Sequence, residues 1–122
     1  MKSTSGIFVF LFLICASDLF AAHLHKEKEY QAAWCAAAGG VTEYVLDDGA
    51  RVDCLTKEYA IEFDFAEKSA ESAGQALFYG LKTGRKAGVV LIMENGAADD
   101  RYLNRLGHLA LRYNFIVWPL RP

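Results

Sequence analysis

The sequence predicts a single mixed α/β domain, on three observations. Three β-rich segments succeed one another between Val41 and Phe65 with no helical stretch between them. Helix-like segments bracket that meander on both sides. Beyond them, Gly88–Met93 (GVVLIM) is a continuous apolar run, as expected of a strand covered on both faces. A meander followed by helix-crossover strands gives an α+β mixed sheet with helices on both faces.

From Glu27 to Ala38 the segment EKEYQAAWCAAA is rich in helix formers and stops at Gly39-Gly40. Val41–Leu46 and Ala50–Leu55 read as two strands around Asp47-Asp48-Gly49, a three-residue connection that makes a bulged hairpin with glycine in the left-handed position. In that register Tyr44 opposes Val52, Thr42 opposes Cys54, and Glu43 faces Asp53 on the other side. Tyr59–Phe65 is a third strand in which Ile61, Phe63 and Phe65 alternate with Glu62 and Asp64. A helix over Glu67–Lys82 follows, with Ala70, Ala73, Leu77 and Leu81 as its inward stripe. After the Gly88–Met93 strand, Asp99 and Asp100 open a helix that runs to Asn114. Phe115–Trp118 then forms a short strand, closed by Pro119. There is no internal repeat.

The first 22 residues have the form of a signal peptide. Lys2 is followed by an apolar stretch, Gly6–Ala16, and by small residues at Ala21-Ala22. That run is shorter than the ~20 residues needed to span a bilayer, and Ile14 is too bulky for a lipoprotein junction at Cys15. The expectation is therefore a domain over residues 23–122, secreted or periplasmic, without stable membrane insertion. Cys35 and Cys54 remain in it, and in an oxidising compartment they are suited to a disulfide. Neither a Cys-x-x-Cys pair nor a Cys/His zinc spacing is present.

The chain carries 13 Lys and Arg against 15 Asp and Glu, a net charge of −2. That balance does not favour tight non-specific attraction to nucleic acid. Its acids are patterned, however. The meander places Glu43, Asp53, Glu62 and Asp64 on neighbouring strands, where they form either a solvated face or an oxygen-only site for Mg²⁺, Mn²⁺ or Ca²⁺. Glu71, Gln75 and Tyr79, spaced by four, line one face of the following helix, with Lys68 in its first turn. Lys82, Arg85 and Lys86 close that helix, either as phosphate contacts or as cations favoured at a helix end. Cleavage after Ala22 would leave His23-Leu24-His25 at the amino terminus, a square-planar Cu²⁺ ligand set or a disordered polar tail. His108 has no companion and reads as structural.

With these residues in place, the chain resembles the PD-(D/E)XK nuclease superfamily, the restriction-endonuclease-like fold. The element order αβββαβ over Glu27–Met93, followed by a C-terminal helix and short strand, is similar to that family's core. Asp53, ending ARVD, would be its metal-binding aspartate, and Glu62, in IEFD, the acid of its tripeptide. Glu27 or Glu29 would be the glutamate of its first helix. GQALFYG, with Gln75 and Tyr79, resembles the Gln-x-x-x-Tyr element of an exonuclease-type branch. The chain departs from the pattern at Asp64, which stands where the family has lysine, and Lys68 is the candidate replacement. The resemblance implies Mg²⁺- or Mn²⁺-dependent phosphodiester hydrolysis. Asp53 and Glu62 would hold the metal beside Asp64 and Glu43, Lys68 would orient water, and Gln75, Tyr79, Lys82, Arg85 and Lys86 would meet nucleic acid. Two alternatives remain: a catalytically inactive binding module on the same fold, for nucleic acid or a protein partner, and an unrelated small secreted interaction domain.

Overall fold

The computed structural model describes residues 22–122, so the expected leader lies, apart from Ala22, outside the described residues. The elements are α1 (Glu27–Ala37), β1 (Val41–Val45), β2 (Arg51–Leu55), β3 (Tyr59–Phe65), α2 (Ser69–Thr83), β4 (Lys86–Ile92), α3 (Asp100–Tyr113) and β5 (Ile116–Leu120). Single 3₁₀ turns, Ala66–Lys68 and Gly96–Asp99, lead into α2 and α3. The five strands form one mixed sheet in the order β1-β2-β3-β4-β5. Its first two pairings are antiparallel and its last two parallel. The mixed α/β class is therefore as the sequence predicts. Among the described residues no helix is long and apolar enough to cross a membrane.

The hairpin has the predicted register, with Tyr44 opposite Val52 and Thr42 opposite Cys54. Gly49 takes φ +88° in the connection, and the Leu46 N–H closes it on the Ala50 carbonyl at 2.8 Å. At the end of α1, Gly39 takes φ +70°, the left-handed geometry of a helix stop.

α1 covers one face of the sheet, where Cys35 packs with Cys54, Ile61, Phe63 and Val90. α2 and α3 cover the other, where Ala73, Ala76 and Leu106 meet Val89 and Leu91. Cys35 and Cys54 are joined, with a Cα–Cα distance of 5.8 Å across a separation of 19 residues, and both are fully buried. The bridge fastens α1 to β2. Gly40 makes room for it, since a Cβ there would lie 2.7 Å from Cys54 Sγ and 2.8 Å from Cys35 Sγ.

Three expectations are corrected. The inward stripe of α2 keeps Ala73 and Leu77 of the expected set but not Ala70 or Leu81. Its buried residues are Ser69, Ser72, Ala73, Ala76 and Tyr79, while Leu81 is 80% exposed. Small residues win this face because they let the helix lie close to the strands: a Cβ on Gly80 would sit 3.0 Å from Ala87 Cβ. Ser72 tolerates burial by donating its hydroxyl to the Ser69 carbonyl at 2.6 Å. Secondly, β5 does not stop at Pro119, which pairs with Leu91 before Leu120 pairs with Ile92. β5 is an edge strand, where a residue without an N–H is tolerated.

Thirdly, His23-Leu24-His25 is not a loose tail. The His23 ring stacks on Phe65, with centroids 3.4 Å apart and planes within 9°. Its Nδ1 lies 2.6 Å from Glu94 Oε1 and its Nε2 3.2 Å from Glu67. The Leu24 N–H and the Tyr30 hydroxyl donate to the other Glu94 oxygen at 2.7 and 2.9 Å. Burial alone would raise the Glu94 pKa, but the hydrogen bonds from Tyr30, His23 and Leu24 outweigh it and hold the carboxyl below its usual range.

Closing a loop of this length with a disulfide stabilises a small domain by roughly 3 kcal/mol, as much as burying one large aliphatic side chain. Reduction, or the C35S/C54S double variant, is expected to lower Tm by more than about 10 °C. Differential scanning fluorimetry with and without a phosphine reductant checks this.

Candidate active site

The site grows from the point where β2 and β3 part. The two strands pair at Cys54↔Ile61 and Leu55↔Ala60. Beyond that, the Phe63 N–H donates to the side chain of Asp53, Oδ2, at 2.8 Å. The backbone carbonyl of Asp53 accepts instead from Gln31 Nε2 of α1, also at 2.8 Å. A buried side-chain amide and a carboxylate thus replace ladder bonds, satisfying the backbone groups that the parting would orphan.

On the other side of β2 the β1 ladder skips Glu43, which takes φ +55° in mid-strand. A non-glycine residue in the left-handed region costs on the order of 1–2 kcal/mol. Part of the compensation comes from Gln31 Nε2, which also donates to Glu43 Oε1 at 3.3 Å. Gln31 was not picked out from the sequence. Its signal was a polar residue one turn before Cys35, on the inward face of an otherwise apolar helix segment.

Glu62 and Asp64 alternate off β3 toward α2, in register with Val89 and Leu91. Both are buried, at 5% exposure each. The solvated-face reading of these acids therefore does not hold for Glu62 and Asp64. Burial, then the charge of Asp53 and a hydrogen bond with it, push Glu62 far above the ordinary carboxylate range. Asp53 is raised as well, chiefly by burial, against the Phe63 N–H that stabilises its charge. Two ionised carboxylates cannot hydrogen-bond each other, so this contact requires a shared proton or an added cation. Glu62 Oε2 is buried with no hydrogen-bond partner.

Asp64 is pushed up to about 7 by burial and by Glu27, with Lys68 acting in the opposite sense. Glu27, in the first turn of α1, is raised by partial burial and by Asp53, and lowered by Lys68. Of the two first-helix glutamates, Glu27 is the one that joins the cluster. Glu29 lies 3.2 Å from His25 and accepts from the Lys26 N–H, capping α1. Lys68, exposed at the end of the 3₁₀ turn, faces Asp64 and Glu27 without a direct ion pair to either among the described residues.

From α2, Tyr79 is buried and donates to Gln75 Oε1 at 3.3 Å. Its pKa is pushed up to about 12 by burial and by Glu62, Asp53 and Glu43, so the phenol stays protonated above the acids. The predicted Gln75–Tyr79 pair is thus joined at the site's edge. Lys82 and Arg85 lie elsewhere, in a recess of about 330 Å³ shared with Tyr44, Val45 and Asp47 of the hairpin. Arg85 also donates to the Thr56 carbonyl, and Lys86 begins β4 beside Tyr59. α2 separates this basic group from Lys68 by about 21 Å, at 1.5 Å per residue.

The donor chemistry fits a hard divalent cation: oxygen ligands only, with one buried carboxylate oxygen unpartnered. Among the described residues no three His, Cys, Asp or Glu side chains are arranged to hold one ion. His108, read as structural, is exposed on α3 and lines a groove with Leu111 and Ile116. Comparison with protein-family models, with curated proteins and with solved structures found no match.

The raised carboxyls bind protons more tightly folded than unfolded, so their stabilising contribution is complete at low pH and lost as pH rises. For Asp64 the loss runs from its ordinary 3.8 to about 7, and Glu62 continues it above that. In EDTA, Tm is expected to fall between pH 4 and 8. E62Q, which stays neutral, is expected to exceed the wild type by at least about 5 °C at pH 8. Thermal melts across that range check both.

Proposed function

We propose that this chain is an exported, divalent-cation-dependent nuclease-like protein that hydrolyses phosphodiester bonds in nucleic acid. The observation that carries the reading is the Asp53–Glu62 carboxyl pair, Asp53 half-buried and Glu62 buried with its Oε2 unpartnered, set where β2 and β3 part. A structural role alone would leave Glu62 Oε2 an orphaned buried acceptor, with Glu62 kept neutral only by a proton held well above its ordinary pKa, at a cost of several kcal/mol. A cation in place of that proton would give the acceptor an occupant.

Asp53 and Glu62 would hold Mg²⁺ or Mn²⁺. Such an ion, when bound, polarises a phosphoryl oxygen and lowers the pKa of a coordinated water. Glu27 and Asp64 border the pair, and Lys68 is the ammonium near enough to Asp64 to balance charge beside a scissile phosphate. Tyr79, held protonated, would donate a hydrogen bond to the substrate backbone, with Gln75 orienting its hydroxyl. Export is supported by the leader-like first 22 residues and by the Cys35–Cys54 disulfide, which persists in oxidising compartments.

The test is incubation of the oxidised mature protein with single- and double-stranded DNA and RNA, with Mg²⁺ or Mn²⁺ and with EDTA. Cutting is expected only with the cation. E62Q and D53N should abolish it, and K68A should reduce it at least 10²-fold while leaving the melt unchanged. In parallel, 5 mM Mn²⁺ is expected to raise the wild-type Tm but not that of E62Q. No cutting together with a Glu62-dependent shift would establish the non-catalytic binding module. No cutting and no shift would sink both readings.

A further inference from the structure

The geometry points to the outer face of α3 as a docking surface for the phosphodiester backbone of nucleic acid, built from Arg101, Arg105 and Arg112. This deepens the proposed function, resting on it only for the identity of the substrate. At 3.6 residues per turn these three positions fall within about 40° of arc on one side of the helix. All three are exposed, and none has an acidic partner among the described residues. They lie instead over aromatic rings: Arg101 and Arg105 over Tyr102, at 4.7 and 5.8 Å from the centroid, and Arg112 over Tyr113 at 5.7 Å. Arg101 also donates one N–H to the Tyr102 hydroxyl at 3.0 Å, and none of the remaining guanidinium N–H groups of the three has a carboxylate partner among the described residues.

The one acid on α3 is already neutralised. Asp100 pairs with Arg121, from the end of the chain, at 2.9 Å. The outer face of the helix is therefore uniformly positive within a chain whose net charge is −2. Position adds a second argument. α3 touches the 3₁₀ turn that carries Lys68, so the helix bearing the stripe packs against the segment that leads from β3 into α2. The stripe runs about 16 Å along the helix, at 1.5 Å per residue. A nucleic-acid strand rises about 3.4 Å per nucleotide, so that length spans about five phosphates. Arginine, with its planar fork, suits phosphate better than lysine does.

The experiment is fluorescence anisotropy of labelled single- and double-stranded 30-mer DNA with the oxidised mature protein. It is done in EDTA, between 50 and 200 mM salt, so that neither cation nor cleavage enters the reading. Wild type is expected to bind. The R101Q/R105Q/R112Q variant, checked by circular dichroism and thermal melt, should bind at least 10-fold more weakly at 50 mM salt, with the duplex log–log salt slope shallower by about 2 to 3. Among single variants, R105Q should weaken binding, whereas K57Q, which removes a charge from the other side of the sheet, should not. Wild-type binding that the folded triple variant retains in full would overturn the proposal, as would the absence of wild-type binding at 50 mM salt. Loss of binding to phosphatidylserine vesicles with DNA binding intact would overturn it in favour of a membrane surface. A failure to cut DNA leaves this result unaffected, and cutting by a triple variant with unchanged DNA affinity would overturn the docking surface alone.

Discussion

The Phe63 N–H bound to the Asp53 carboxylate sits where β2 and β3 stop sharing a ladder. A sheet that parts in its middle exposes backbone donors and acceptors that must be satisfied. Here the Asp53 side chain takes one of them and Gln31 of α1 another. The consequence is that Asp53 is fixed beside Glu62 by backbone geometry and not by a salt bridge. The charge conflict between them is built into the fold, and a proton held by Glu62 well above its ordinary pKa relieves it.

Each covering element serves that arrangement. The Cys35–Cys54 bridge keeps α1 down on β2 and so keeps Gln31 within reach of Asp53 and Glu43. At the other end of α1, Glu94 gathers His23, Leu24 and Tyr30, which sets the first turn and with it Glu27. α2 approaches closely because its inner face is small, and this closeness buries Tyr79 over the acids. Its larger apolar residues, Phe78 and Leu81, are left outside. Packing and site are therefore not separable: the burial that closes the core also raises the pKa of Glu62 and Asp64.

Charge is sorted along the same lines. The acids that attract each other's protons lie between the sheet and α2, whereas the arginines of α3 face outward on tyrosine rings. A net charge of −2 conceals this, because the sum over the chain says nothing of where each sign lies. The near-balance is a sum over the chain and does not show that Arg101, Arg105 and Arg112 share one exposed face of α3.

The amino-acid sequence alone makes legible the element order, the hairpin register at Tyr44 and Val52, and the pairing of Cys35 with Cys54. These rest on local signals: alternation along β3, Gly49 in the turn, Gly39 after α1, and two cysteines left in the domain. It also brought Asp53, Glu62, Asp64 and Tyr79 into one list, because alternation and four-residue spacing select a common face. Tertiary structure alone decided which face of α2 turns inward, since its small residues compete only once a sheet is present to be approached. It also decided that Glu27 and not Glu29 joins the acids, that Glu94 holds His23, and that Lys82 lies far from Lys68. Those outcomes depend on how separate elements are placed in space, and the residues involved carry no pattern that a single segment can express.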